Sequence, residues 1–305
     1  MRLSNILPSL LTKNDYKIEN EKEFDTLALT ASELSLSACT FVDNMKFIGD
    51  VKNNITMILT NEELYEAVNS RYGADKGICI VKQPRAVYFE IHNLLADSKD
   101  YIREQFATQI GEGCCISPLA SIATNNVVIG NNATIEEFVV IRENTEIGDN
   151  CIIRSGTVLG AQGFEFKRMG SEMLSVEHLG GVKISNNVEI QYNCCINRAV
   201  YPWDDTLIGA YSKIDDLVHL GHGVKVGANV LIVAKSAIGG RTVVEDDSWI
   251  GFGTTVCNGI HVGKAARVNM GAVVSRSIGD NASVTGNFAI DHKRFIEHIK
   301  NISNG

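Results

Sequence analysis

The chain has 305 residues, 45% of them hydrophobic, which is enough for two structural units. Its formal net charge of −8 argues against nucleic acid as the main partner. Because it shows neither a cleavable leader nor a run of about 18 apolar residues, we expect a cytoplasmic protein without a transmembrane segment.

Residues 1–105 are predicted to form a small α/β domain. Short apolar runs bounded by polar residues predict strands, and helix formers or a first-turn proline predict helices. The expected strands are 56–60 and 76–82, and the expected helices are 61–72, 84–96 and a helical junction at 97–108.

A six-residue period organises residues 106–286. An aliphatic residue stands at every sixth position from Ile208 to Val274, and the same spacing occurs at 129–159 and 184–196. A helix repeats every three or four residues and a strand every second residue, so neither explains this period. The period predicts a parallel β-helix with 18 residues per triangular coil, which is left-handed in proteins with this repeat.

The same six-residue period predicts how aliphatic residues of successive coils stack and where the corners between strands lie. Ile208, Val226, Val244 and Val262 are expected to form one column, and glycines after the aliphatic positions are expected to allow tight corners. The period breaks at 160–181, which predicts a loop that leaves the coil, and Pro202 replaces one aliphatic position in a second irregular segment, 198–205. Loops on a rigid scaffold often carry function.

The C-terminal residues 287–305 are predicted to contain a short helix. Asp291 is a candidate N-cap, and Phe295, Ile299 and Ile302 have helical spacing. We expect this helix to close the open end of the solenoid.

The eight cysteines include no C-x-x-C pair, so reduced, packed thiols are expected and no metal site is predicted.

Two histidines are candidate functional residues. His219 and His222 flank the inward-facing Leu220, so both side chains are expected outside the coil core.

Several motifs together resemble the UDP-3-O-acylglucosamine N-acyltransferases and related nucleotide-sugar acyltransferases. They are T-F-V-D-N-M-K-F at 40–47, G-A-Q-G-F-E-F at 160–166, N-R at 197–198, D-D-T-L-I-G at 204–209, and Ile214-Asp215 followed by His222.

The resemblance implies a homotrimer that transfers an acyl group to the amine of a nucleotide-linked amino sugar, in lipid A or surface polysaccharide synthesis. The donor would be acyl-CoA or acyl carrier protein, and no cofactor would be bound permanently. His222 would act as general base with Asp215 orienting it, which suits an imidazole with an ordinary pKa near ~6.5. The implied acceptor residues are Phe41, Asn44, Phe47, Gly163, Phe164 and Phe166, and the implied donor residues are Gly240, Gly259, Lys264 and Arg267.

The chain also departs from the family pattern. Ile260 occupies the place of a second family histidine, and His261 lies one residue later, on the opposite face of a strand. Asn197 replaces an aspartate, and the C-terminal tail is short. The sugar, the acyl length and the donor carrier therefore stay open.

Two alternative functions also fit parts of this pattern. His219, His222 and His261 would suit a trimeric zinc hydratase, since zinc enzymes commonly use three histidines and an open position. A rigid solenoid would also suit a non-enzymatic scaffold or binding protein.

Overall fold

The computed structural model describes residues 1–286, 289 and 291–303. The chain divides into two compact units, and the division does not follow the sequence order. The N-terminal unit comprises Met1–Gln105, Gln162–Gly180 and Ala199–Asp204, and the solenoid unit comprises the rest.

The N-terminal unit is built on a five-stranded sheet. Its strands, in chain order, are Tyr16–Asn20, Thr26–Leu27, Ala38–Val42, Ile55–Thr60 and Gly77–Val81. The first strand pairs antiparallel with the last, and the other pairs are parallel. The α-helices are Leu3–Ile6, Glu62–Tyr72 and Pro84–Leu95, and the 3₁₀ helices are Leu7–Ser9 and Met45–Asp50.

Residues 97–108 do not form the predicted helix. They run through turns in which the Tyr101 and Ile102 amides both donate to the Ser98 carbonyl, at 3.0 and 3.1 Å. The segment lacks the repeated apolar face that stabilises a helix by packing, so this expectation was wrong.

Both interruptions of the six-residue period leave the solenoid and pack in the N-terminal unit. Residues 162–180 carry an antiparallel hairpin of strands Phe166–Met169 and Glu172–Ser175. Residues 199–204 contribute Tyr201 and Trp203, whose rings stack with centroids 5.3 Å apart. The Trp203 indole donates to the Leu27 carbonyl at 2.9 Å, so this short segment is fixed to the sheet.

A buried polar network surrounds His92 in this unit. His92 is fully buried, with Nε2 2.9 Å from the Glu177 carbonyl and Nδ1 2.8 Å from the Tyr101 hydroxyl. Since a carbonyl only accepts, Nε2 carries the proton and Nδ1 accepts from Tyr101. Burial lowers the pKa of His92 to about 4.

This lowered pKa predicts acid sensitivity of the N-terminal unit. The unfolded chain binds a proton at His92 near pH 6.5 and the folded chain only near pH 4, so stability falls as the pH drops between these values. The full loss is roughly 3 kcal/mol of unfolding free energy.

Urea unfolding in a Trp249→Phe background, which leaves Trp203 as the fluorophore, measures this loss of unfolding free energy. His92→Gln should flatten this pH dependence, whereas His261→Gln should leave it unchanged; an unchanged slope in His92→Gln would contradict the assignment.

The solenoid unit has three walls of parallel strands. The first wall contains Gln109–Ile110, Val127–Ile129, Thr145–Ile147, Gly181–Ile184, Asp205–Ile208, Lys225–Val226, Val243–Val244 and His261–Val262. The second contains Cys115–Ile116, Thr134–Ile135, Ile152–Ile153, Glu189–Ile190, Lys213–Ile214, Leu231–Ile232, Trp249–Ile250, Arg267–Val268 and Ser283–Val284. The third contains Ser121–Ile122, Val140–Ile141, Val158–Ala161, Cys195–Asn197, His219–Leu220, Ala237–Ile238, Thr255–Val256 and Val273–Val274.

The predicted aliphatic column is confirmed. Ile208 pairs with Val226, Val226 with Val244, and Val244 with Val262 along the first wall. These residues are at most 3% exposed and belong to one continuous core that runs through the solenoid. The predicted class, a mainly β solenoid of parallel sheets with a short C-terminal helix, is therefore what the chain adopts.

The glycines after the aliphatic positions of 208–263 allow the backbones of neighbouring coils to approach closely, and they do not adopt unusual backbone angles. A Cβ added at Gly209 would lie 2.4 Å from the Gly227 carbonyl carbon of the next coil. Left-handed backbone occurs instead at the third residue of many corners, as at Asn229 (φ 57°) and Leu217 (φ 60°). Asparagine tolerates this region better than leucine, which has no side-chain hydrogen bond to offset the cost.

The three corners differ in chemistry. The polar corner, between the first and second walls, is stabilised by stacked Asn and Asp side chains such as Asp149, whose Oδ1 accepts from the Asn131 amide at 2.6 Å. The apolar corner, between the second and third walls, carries exposed apolar side chains. The histidine corner, between the third and first walls, contains residues 221–224, 239–242 and 257–260.

The C-terminal helix spans His292–Ser303 and begins where predicted. Asp291 Oδ1 accepts from the Lys293 amide at 3.0 Å. Phe295 and Ile299 are 47% and 42% exposed, so these two side chains are only partly covered, and closure of the open end of the solenoid by this helix stays a prediction. The Ile302 side chain and residues 287, 288, 290, 304 and 305 lie outside the described part. Within that part, the helices are too short or too polar to cross a bilayer.

Candidate active site

His222 lies at the histidine corner, two residues after Leu220, the buried residue of the strand His219–Leu220. Its carbonyl accepts from the Arg241 amide of the next coil at 2.8 Å. On the other side, the Gly223 amide donates to the buried Thr206 hydroxyl at 2.9 Å, and Thr206 donates to the Asn197 carbonyl at 2.6 Å. The backbone around His222 is therefore fixed to both neighbouring coils.

The His222 ring lies against Gly240. A Cβ added at Gly240 would lie 2.7 Å from Nε2 and 2.8 Å from Cε1 of this ring. These separations are shorter than van der Waals contact, so the absence of a side chain at residue 240 makes room for the imidazole. Donor binding by Gly240 stays a prediction, and this contact gives a separate, steric reason for a glycine at this position.

Two segments, residues 162–180 and residues 199–204, leave the solenoid, and both leave it at the histidine corner. The first follows Val158–Ala161 and the second follows Cys195–Asn197, the two third-wall strands that precede His219–Leu220. Arg198 joins the two departure points, since its amide donates to the Ala161 carbonyl at 3.0 Å and its Nε to the Gly160 carbonyl at 2.8 Å. Within the solenoid unit, His222 is thus one coil from the second departure point and two from the first.

Asp215 lies at the apolar corner, at the other end of the strand that leads to His222. Its Oδ1 accepts from the Asp216 amide at 2.8 Å, and its Oδ2 accepts from the Ala234 amide at 3.0 Å. Both carboxylate oxygens thus stabilise corner backbone within one chain. Asp215 and His222 occupy two different corners of the same coil.

The other histidines lie on separate walls. His219 faces outward from the third wall, and partial burial lowers its pKa. His261 faces outward from the first wall, where Nε2 lies 3.0 Å from Glu245 Oε1, whereas Ile260 is buried in the core. His261 therefore does not occupy the position of Ile260. Among the described residues of one chain, no group of three His, Cys, Asp or Glu side chains could hold a metal ion.

The predicted acceptor residues Phe41, Asn44 and Phe47 occupy one segment of the N-terminal unit. Phe41 is half-buried, with its ring centroid 4.9 Å from that of Tyr88. Asn44 caps the helix Met45–Asp50 by accepting from the Lys46 amide at 3.1 Å. Phe47 is half-buried beneath the Lys46 ammonium, which lies 4.6 Å from its ring centroid.

The predicted residues Gly163, Phe164 and Phe166 belong to the same unit, at the base of the hairpin. Phe164 is 88% exposed, and its ring centroid lies 4.9 Å from that of Phe166. A cavity of about 490 Å³ borders Phe166 and also contacts Asp43 and Arg85. Sequence reasoning missed Arg85 and the neighbouring Lys167 and Arg168, although these basic residues lie in segments that it had marked as a helix start and a functional loop.

The predicted donor residues do not form one cluster within the chain. Gly240 and Gly259 lie at the histidine corner, whereas Lys264 lies at the polar corner. Arg267 faces outward from the second wall, with its guanidinium 4.5 Å from the Trp249 ring centroid.

Family models match the solenoid. Residues 126–161 match the bacterial transferase hexapeptide (six repeats), and residues 204–234 and 241–276 match the hexapeptide repeat of succinyl-transferase. Among solved structures, an Arabidopsis UDP-N-acetylglucosamine acyltransferase is 25% identical with a TM-score of 0.50, covering 59% of this chain and 67% of that one. The Campylobacter jejuni protein of the same name has 19% identity and a TM-score of 0.50, over 63% and 77%. This likeness confirms the left-handed parallel β-helix.

Curated relatives carry the name that the motifs suggested. UDP-3-O-acylglucosamine N-acyltransferase 1 of Francisella tularensis subsp. holarctica (strain OSU18) is 38% identical over 102 residues, 33% of this chain and 29% of that protein. The Polynucleobacter necessarius enzyme is 45% identical over 85 residues, 27% and 23% respectively. The chain thus spans less than a third of the length of these relatives. The predicted resemblance to the UDP-3-O-acylglucosamine N-acyltransferases is therefore confirmed as a similarity over that span.

Proposed function

We propose that this protein is a sugar N-acyltransferase that moves an acyl group from a phosphopantetheine thioester to the amine of a nucleotide-linked amino sugar. The observation that carries the proposal is the imidazole of His222, held against Gly240 at the histidine corner. The named relatives support the same reaction class. We place the reaction in the cytoplasm, in lipid A or surface polysaccharide synthesis.

The chemistry needs one base and no covalent intermediate with the enzyme. The sugar amine attacks the thioester carbonyl carbon, forming the C–N bond, and a ring nitrogen of His222 takes the proton that the amine loses. The tetrahedral intermediate then collapses, the C–S bond breaks, and the leaving thiolate takes a proton from the His222 imidazolium, which returns the base to its neutral form. Asp215 would stabilise the imidazolium electrostatically across a subunit boundary or through the corner backbone.

We propose further that three copies assemble through the third wall and the apolar corner. The apolar corner exposes Leu119, Phe138, Tyr192, Leu217, Phe252 and Met270, each between 41% and 63% exposed. The outward residues of the described third-wall strands carry no Lys, Arg, Asp or Glu, whereas the first wall presents Glu146, Lys183 and Lys225. An extended uncharged surface of this kind favours an interface. It runs from the apolar corner to His222, so a neighbouring copy would supply the second side of the active site.

Charging the apolar corner is expected to dissociate the trimer. Phe138 and Leu217 both have φ of 60°, which aspartate tolerates better than either residue, so Phe138→Asp/Leu217→Asp should not destabilise the monomer. Sedimentation equilibrium should give about 100 kDa for the wild type, three times 33.3 kDa, and 33.3 kDa for the double variant. Lys183→Ala, on the charged first wall, serves as the control. A double variant that stays trimeric would contradict this interface.

The activity is tested by offering acetyl-CoA, longer acyl-CoAs and 3-hydroxyacyl carrier protein against UDP- and dTDP-linked amino sugars. We expect acylation of at least one acceptor amine by at least one thioester. Turnover with the carrier protein and UDP-3-O-acylglucosamine would assign the protein to lipid A synthesis, and turnover with a short acyl-CoA would assign it to another surface sugar. Failure of every pair, together with failure to bind nucleotide sugars, would favour a scaffold.

A further inference from the structure

A cavity of about 490 Å³ lies within the N-terminal unit, between the start of the helix Pro84–Leu95 and the hairpin strand Phe166–Met169. It carries an excess of positive charge. Its lining includes three cations, Arg85, Lys167 and Arg168, and one carboxylate, Asp43. Glu165, which pairs with Lys167 beside the lining, reduces this local excess from two positive charges to one. In a chain with a formal net charge of −8, such a local excess favours an anionic ligand.

Arg85 connects this cavity to the predicted base-binding segment. Its Nε lies 2.9 Å from Asp43 Oδ2 and its Nη2 lies 3.3 Å from Asp43 Oδ1, so the guanidinium pairs with both oxygens of one carboxylate. The same guanidinium lies 5.6 Å from the ring centroid of Phe41. Phosphate offers the same bidentate geometry as a carboxylate, so Arg85 is already oriented for it.

The other two cations have different surroundings. Lys167 pairs with Glu165, and its ammonium lies 4.5 Å above the Phe89 ring, which holds it against the body of the unit. Arg168, the next residue on the strand, is exposed. The first turn of the neighbouring helix contains no acidic residue, so its partial positive charge adds to that of the side chains.

We propose that this cavity is a phosphate subsite that takes the diphosphate of the nucleotide-linked acceptor. The inference rests on the proposed function and extends it to residues that the family resemblance did not indicate. On binding, Arg85 exchanges the Asp43 carboxylate for phosphate oxygens while the base lies at Phe41. Lys167 and Arg168 supply the remaining positive charge from the hairpin.

A neighbouring cavity of about 330 Å³ supplies the matched control. It shares Gln83, Ala86 and Met169 with the first, and its remaining lining contains Asp15, Glu90 and Lys82 beside three apolar residues. Its two carboxylates disfavour an anion. Lys82 is an exposed basic residue three positions before Arg85, so Lys82→Ala removes a nearby charge without touching the proposed subsite.

Isothermal titration of the full-length protein with UDP and with uridine tests the proposal. We expect UDP to bind at least about tenfold more tightly than uridine, and Arg85→Ala to weaken UDP about tenfold while leaving uridine unchanged. Arg168→Ala should act in the same direction and Lys82→Ala should have no effect. Asp43→Asn removes the carboxylate that competes for Arg85 and should tighten UDP severalfold, a gain that misfolding would not produce.

The outcomes separate the subsite from the proposed function. Equal affinities for UDP and uridine, or equal effects of Arg85→Ala and Lys82→Ala on UDP, would overturn the subsite and leave nucleotide recognition standing. Failure of UDP and uridine, and likewise of dTDP and thymidine, to bind would overturn the subsite together with the nucleotide-linked acceptor on which it rests.

Discussion

Replacing His222 by alanine is expected to lower kcat by about 10²–10⁴-fold, the contribution typical of a positioned general base. The substrate KM should change little, because the base acts on the proton that is lost in the transition state. The folded structure should persist, since main-chain hydrogen bonds of residues 222 and 223 fix the corner to both neighbouring coils. Steady-state kinetics with the best donor and acceptor pair provide the measurement.

His261→Ala is the matched control for this experiment. His261 faces outward from the first wall beside the histidine corner, away from the proposed subunit interface, and it does not lie against Gly240. This variant is expected to retain activity within about threefold of the wild type. A loss of less than tenfold in His222→Ala would show that His222 is not the general base.

Gly240→Ala is expected to lower kcat by about 10²-fold through a single added methyl group. The new Cβ would lie 2.7–3.0 Å from three ring atoms of His222, so the imidazole must move, and a displacement of about 1 Å can cost that much in rate. The backbone of Gly240 is not in the left-handed region, so alanine adds no backbone strain there, and the melting temperature should change little if the ring moves aside.

Two comparisons make the Gly240 prediction specific. Gly279→Ala is the steric control because, among the described residues, no atom beyond its chain neighbours lies within 4 Å of the added Cβ. In a His222→Ala background, Gly240→Ala should cause no further loss, as expected when one residue acts through the other. An additional large loss in that background would instead indicate that Gly240 contacts the donor directly.

The six-residue period predicted the solenoid well because each aliphatic residue must face one narrow core. Ile208 and Val226 could be paired from the sequence since 18 residues return the chain to the same wall. The same offset separates His222 from Gly240, so their contact was also available from the sequence, although it went unnoticed.

Other features have no local sequence signal. Residues 162–180 and 199–204 pack in the N-terminal unit through aromatic contacts such as that of Tyr88 with Tyr201, and no period reveals such a contact. The position of Arg85 over Phe41 likewise depends on how a helix packs on the sheet. The prediction of a helical junction at 97–108 was wrong because the composition of this segment allows turns equally well.

The most direct test of the central proposal measures thiol release from the acyl donor with two matched acceptors, a UDP-linked amino sugar and its analogue with a hydroxyl in place of the amine. The proposed mechanism predicts rapid release with the amine, formation of one amide per thiol, and little release with the hydroxyl analogue or without acceptor. It also predicts that His222→Ala abolishes the amine-dependent part. Equal release with both acceptors, or amine-dependent release that survives in His222→Ala, would contradict N-acyl transfer by His222.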